Sequence, residues 1–191
     1  YGIENKNLSI TQDTNGIIII GNSNGVLQYD GARWSITDTR GIPVVAKNDK
    51  GDILVGEYNN IGVLKYKKTK AEIISIFDSL ELKQEIYQNI QQIVPVNDTI
   101  YFSTNTKIYE LTPSGVEKLF EHAKLQLFTD KSLYVYLKNK GLYRLNDKKL
   151  HQVIQAGKID GSVRSLVSIE NNVLFSTTDQ LYIYEGENSD P

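Results

Sequence analysis

Short runs of Ile, Val, Leu, Tyr and Phe recur along the whole chain, and clusters of Asn, Asp and Gly separate them. Apolar runs bounded in this way read as β-strands joined by tight turns. The stretch 8–36 shows the pattern most plainly. Its strands are divided by Asp13-Thr14-Asn15-Gly16, by Asn22-Ser23-Asn24-Gly25 and by Asp30-Gly31. Each divider ends on glycine, which accepts the positive φ that a tight hairpin demands. The unit therefore parses as four antiparallel strands.

Four further copies follow, at 44–77, 90–120, 125–154 and 163–184, the last lacking a fourth strand. Taking Gly21, Gly56, Ser103, Tyr136 and Ser176 as equivalent points, the steps are 35, 47, 33 and 40 residues. A period near 40 with four strands per unit is the signature of β-propeller blades. The expected fold is all-β, with about five four-stranded antiparallel blades forming one domain and part of a larger propeller. The blades are placed at 1–40, 41–80, 81–122, 123–157 and 158–191. A β-sandwich shares the short strands and frequent turns, but the fourfold repeat favours the propeller. Four blades and three strands of a fifth do not close a ring, and an open end would expose a sheet face or edge. More blades are expected in the full-length protein. The long second step contains the one helical candidate, 78–90, where Leu82, Ile86 and Ile90 fall at i, i+4 and i+8. A helical turn and an extended inter-blade loop both fit it.

Composition narrows the class. An apolar fraction of 40 % and a charged fraction of 23 % suit a globular chain, and no apolar run approaches the roughly 20 residues of a membrane helix. The net charge is −2 and the cations are scattered, without the basic stripe of a nucleic-acid binder. The absence of cysteine excludes disulfides, thiolate metal sites and cysteine nucleophiles. The chain opens at Tyr1, and we take it as a segment whose targeting sequence has been removed.

Candidate chemistry is sparse. His122 and His151 have no ligand-spaced partners for a metal, and no nucleophile elbow is present. The stretches 13–16 and 48–52 gather oxygens as calcium loops do, but they are too short and read as turns. Glu57, Asp78, Glu81 and Glu85 supply carboxylates, although nothing in their spacing brings two together across a cleft. No catalytic residue, metal or cofactor is expected. Trp34, the single tryptophan, suits packing between blades, with stacking on a ligand as the alternative. Of the arginines (Arg33, Arg40, Arg144 and Arg164), Arg164 starts an inner strand, where side chains line a propeller channel. It is the first ligand-contact candidate. Glu57, Tyr58 and Asn59, just past the inner end of a strand, are the next.

The run Ser9-I-T-Q-D-T-N-G-I-I-I-I-G-N-S-N-G-V-L-Q-Y-D-G-A-R-Trp34 resembles the opening blade of two-component-regulator propellers from Bacteroidetes. The Y-D-G-x-x-W ending is its most distinctive part. The stretches A-K-N-D-K-G-D-I-L-V-G, N-D-T-I-Y-F-S-T and K-I-Y-E-L are similar to the blades that follow in that family. The resemblance implies a periplasmic or otherwise extracytoplasmic sensor region, anchored through a membrane helix outside this segment. In such proteins a triple-tyrosine immunoglobulin-like domain, the membrane helix and a kinase or helix-turn-helix output follow the propeller. It also implies a glycan or small-molecule ligand bound without catalysis, with the downstream domains as further partners; a homodimer that covers the open end is a separate expectation. An interaction scaffold and a polysaccharide-active propeller enzyme are the alternatives.

Overall fold

The computed structural model describes residues 6–67, 70–81, 86–121, 125–130, 132–137, 139–146, 148–169 and 172–185. Among these the chain is almost entirely β-strand, arranged in five antiparallel sheets, four with four strands and one with three. These are β-propeller blades, as the sequence repeat predicts. The chain divides into two compact units, Tyr1–Phe120 and Glu121–Pro191.

The first unit holds three sheets. They are β1 to β4 (Asn7–Gln12, Ile18–Asn22, Gly25–Tyr29, Trp34–Thr37), β5 to β8 (Val44–Lys47, Ile53–Glu57, Asn60–Lys67, Lys70–Ser75) and β9 to β12 (Gln92–Val96, Thr99–Ser103, Lys107–Thr112, Gly115–Glu121). In each sheet the strands pair in sequence order, and β5 lies beside both β1 and β9. Because successive side chains alternate between faces, the middle sheet has two apolar faces. Val45, Ile53, Val55 and Leu64 pack on Ile19 and Val26 of the first sheet. Val44, Leu54 and Ile61 pack on Ile93, Phe102 and Tyr109 of the third. A strand covered on both sides loses its polar alternation, which is why β6 reads Ile-Leu-Val-Gly and is buried throughout.

Sheets this close need small residues where backbones meet. A Cβ on Gly21 would sit 2.5 Å from the Pro43 carbonyl oxygen and 2.6 Å from Ser9 Oγ. Neither neighbour is free to yield, since Ser9 Oγ accepts the Val45 N–H at 2.8 Å. Gly21→Ala is therefore expected to cost about 1–3 kcal/mol through overpacking. Chemical denaturation checks this against Gly157→Ala, where nothing lies within 4 Å. Equal stability of the two variants would mean that the seam is not under this constraint.

Among the described residues, the helical candidate is realised as a single turn, α1 (Ile76–Ser79), capped by Ser75 Oγ accepting the Asp78 N–H at 3.1 Å. Residues 82–85, including Leu82, lie outside the described residues. Residues 86–90 are not helical, because Tyr87 has a left-handed φ of 49° that an α-helix does not tolerate. Ile86 and Ile90 are nevertheless buried, alongside Phe77 in the core between the second and third sheets.

The second unit holds β13 to β16 (Leu125–Asp130, Ser132–Leu137, Gly141–Asn146, Lys149–Gln155), a 3₁₀ turn at Ala156–Lys158, and β17 to β19 (Ser165–Ile169, Asn172–Ser176, Leu181–Tyr184). Its core joins Tyr134, Tyr136, Leu142 and Ile154 to Val173 and Phe175. Phe175 stacks on Tyr182 at 4.9 Å. Four strands form the first of these sheets and three the second, matching the unfinished fifth repeat.

Candidate functional site

A four-stranded meander places the hairpin between its second and third strands at the same end as the connector to the next sheet. In the first unit this end gathers the connector 38–43, the hairpin 57–60 and the connector 86–91. The hairpin clamps both connectors. Tyr58 N–H donates to the Arg40 carbonyl at 2.6 Å, and Asn59 N–H donates to the Gln88 carbonyl at 3.0 Å. Asn59 itself adopts φ 54°, a conformation that asparagine accepts more readily than most residues. Its Oδ1 accepts the N–H groups of Ile86 at 2.6 Å and Tyr87 at 3.0 Å.

Glu57 is the centre of this arrangement and only 5 % exposed. One carboxylate oxygen accepts the Arg40 N–H at 2.7 Å, and the other accepts the Asn60 amide at 2.8 Å. Asn60 Oδ1 in turn accepts from Ser75 Oγ at 2.7 Å, fixing its amide plane. Glu57 and Asn60 line a cleft of about 400 Å³ together with Thr37, Asp38, Thr39, Arg40, Lys70, Glu72 and Asp78. Its volume is in the range of small-molecule sites. A carboxylate has about four acceptor positions, so Glu57 retains capacity toward the cleft. Arg40, Lys70, Asp38 and Asp78 are exposed at its walls, while Glu72 pairs with Lys67. The cleft thus offers acceptors at its base and both signs of charge at its rim, which suits a polar ligand. It contains no histidine or cysteine to activate a nucleophile.

The sequence candidates fare unequally. Glu57, Tyr58 and Asn59 are brought together, but only Glu57 faces the cleft; Asn59 braces the backbone and Tyr58 is 43 % exposed beside it. Spacing gave no reason to join Glu57 with Asp78, yet both line the cleft. Arg40, Asn60 and Lys70 went unrecognised as site residues, since an Asn-Asn pair looks like turn chemistry and scattered cations look like surface. Arg164 is exposed just before β17, its N–H donating to the Ser176 carbonyl at 2.8 Å. It stands at the corresponding end of its own sheet.

Trp34 is 56 % exposed and stacks on Tyr29 of its own sheet at 4.7 Å. It also begins β4, at the sheet end opposite the connector 38–43. His151 is exposed on β16 opposite Arg144, and His122 lies outside the described residues.

Shifted ionisations fall mainly at that opposite end and have structural causes. The Lys65 ammonium holds Asp52 below the usual carboxylate range, and Lys50 does the same for Asp98. Asp30 is lowered by the backbone N–H groups of Arg33 and Ala32. The calcium-like stretches are turns that side-chain oxygens brace. Asp13 Oδ1 accepts the N–H groups of Asn15 and Ile17, both at 2.8 Å. Asn48 Oδ1 accepts those of Lys50 and Asp52, at 3.1 and 2.8 Å.

No family model and no curated protein matches the chain. Solved structures do match in fold. The extracellular domain of a protein described as the hybrid two-component system BT3049 of B. thetaiotaomicron superposes with a TM-score of 0.71 at 17 % identity. It covers 94 % of this chain and 28 % of its own length. The corresponding domain of BT4673 from the same organism gives 0.71 at 15 % identity, over 97 % of this chain and 28 % of that one. Virginiamycin B lyase from Staphylococcus aureus gives 0.60 at 14 % identity, over 97 % of this chain and 72 % of that one. The chain therefore spans little more than a quarter of the similar extracellular domains. One fold carries both these extracellular domains and a lyase, so the fold leaves activity to be argued from the site.

Proposed function

We propose that this chain is the ligand-sensing part of an extracytoplasmic propeller belonging to a membrane-bound two-component or transcriptional regulator. It binds a glycan or another polar small molecule in the cleft above Glu57 and Asn60, and it signals by binding without catalysis. The observation that carries the reading is the double role of the 57–60 hairpin. Glu57 faces the cleft and also holds the connector 38–43, while its neighbour Asn59 holds the connector 86–91. A ligand that engages Glu57 acts on the segments that join one blade to the next. Binding is coupled to the domain only through such differential contacts. The likeness in fold to extracellular domains of hybrid two-component systems supports the extracytoplasmic, sensing part of the reading. Among the described residues no helix is long and apolar enough to cross a membrane, and the anchor is assigned to another part of the polypeptide.

A thermal-shift screen of saccharides and small polar metabolites against the longest ectodomain containing these residues tests the proposal. A ligand at 100 times its dissociation constant is expected to stabilise the native state by about 2.7 kcal/mol. A stabilising hit that is recovered unchanged supports the sensor. Turnover of the hit would favour a propeller enzyme. No stabilisation, together with capture of a defined protein partner, would favour a scaffold.

A further inference from the structure

Glu57 is the most buried carboxylate among the described residues, 5 % exposed against 7 % for Glu110 and 9 % for Asp13. A buried charge is normally met by a countercharge, because taking it out of water unpaired is costly. Among the described residues no lysine, arginine or histidine pairs with Glu57, although the more exposed Asp52, Glu72 and Asp98 each have a lysine. The described acidic and histidine side chains form no cluster that could hold a metal ion. The two partners of Glu57, the Arg40 N–H and the Asn60 amide, are neutral donors. Asp13 is also held by N–H groups, but it closes a turn, whereas Glu57 lines a cleft.

Two of the roughly four acceptor positions of the carboxylate are taken, so about two remain at the base of the cleft. At its walls Asp38, Asp78, Arg40 and Lys70 are exposed. Their charges are hydrated, opposite in sign, and screened by salt over about 8–10 Å. Glu57 has lost most of its water, and its field acts in a medium of lower effective dielectric. The base of the cleft therefore sets the sign of charge that it prefers.

We propose that the ligand of this cleft carries a protonated amine, seated on the Glu57 carboxylate. The inference rests on reading the cleft as the ligand site, and it narrows the ligand to small molecules with a primary ammonium. Such a group brings the missing countercharge and three N–H donors. Its hydrogen bonds to a carboxylate are roughly twice as strong as neutral ones. An N-acetylated amine brings a single N–H and no charge. An acidic group would meet Glu57 as a like charge.

Thermal-shift titration of the full polypeptide at constant ionic strength tests this with matched pairs of probes. The pairs are glucosamine and N-acetylglucosamine, ethanolamine and N-acetylethanolamine, and alanine and N-acetylalanine, with glucuronate as the acid. At least one amine is expected to bind about tenfold more tightly than its N-acetyl partner, and Glu57→Gln is expected to level the two. The selectivity of the unaltered protein is read without any substitution, so it decides the matter even if the variant folds poorly. N-acetyl partners that bind as tightly in every pair, or glucuronate binding above all the amines, would overturn the inference while leaving the cleft as a ligand site. An amine preference that survives in Glu57→Gln would place the cation elsewhere and overturn it too. If none of these compounds stabilises the protein, the inference fails, and the sensing role is then decided by the wider screen of saccharides and metabolites.

Discussion

Phe102→Ala is expected to lower the unfolding free energy by about 3–5 kcal/mol, the usual cost of truncating a buried aromatic. Phe102 is 0 % exposed. It stacks on Tyr109 at 4.9 Å and meets Phe77 at 6.4 Å. These rings join the third sheet, α1 and the second sheet, so the cavity would open at the seam and the neighbours on both sides are already fixed. Phe102→Leu keeps most of the volume and should cost markedly less, since volume-conserving apolar changes are tolerated best. Urea unfolding with both variants checks the ordering. If alanine costs no more than leucine, the seam is loosely packed and the blade junction is not the source of stability argued here.

Glu57→Ala is expected to cost about 2–4 kcal/mol and to remove ligand-dependent stabilisation. The stability loss has a definite origin. Without the carboxylate, the Arg40 N–H and the Asn60 amide lose their acceptors, and each unmet buried donor costs about 1–3 kcal/mol. Glu57→Gln retains one acceptor oxygen and the side-chain volume, so it should recover part of the stability. Its carboxamide cannot restore the charge offered to the cleft. Comparing the two variants with and without a ligand found by the screen separates the roles. A Glu57→Gln protein that folds well and still gains full stabilisation from the ligand would show that the carboxylate braces the hairpin and does not contact the ligand.

Much of the fold was legible because propeller blades repeat their constraints. Hairpin glycines and Asn or Asp turns recur at most strand junctions, and strands buried on both faces advertise themselves as unbroken apolar runs. The site was legible only in part. Glu57 was singled out because it follows the inner end of a strand. Asp78, Lys70 and Arg40 join it only after three separate segments are brought to one cleft. The surroundings of Trp34 were illegible for a related reason. Aromatic identity and position on an outer strand cannot report whether a neighbouring sheet is present to cover it.

The sequence alone determined the strand pattern and the near-40-residue repeat. These depend on local turn chemistry and on side-chain alternation, both written into consecutive residues. Only the tertiary structure decided that the 57–60 hairpin clamps two connectors and that 86–90 is not helical. Those outcomes depend on hydrogen bonds and packing between residues far apart in the chain. A carboxylate such as Glu57 has the same local propensities whether it meets water or the Arg40 N–H.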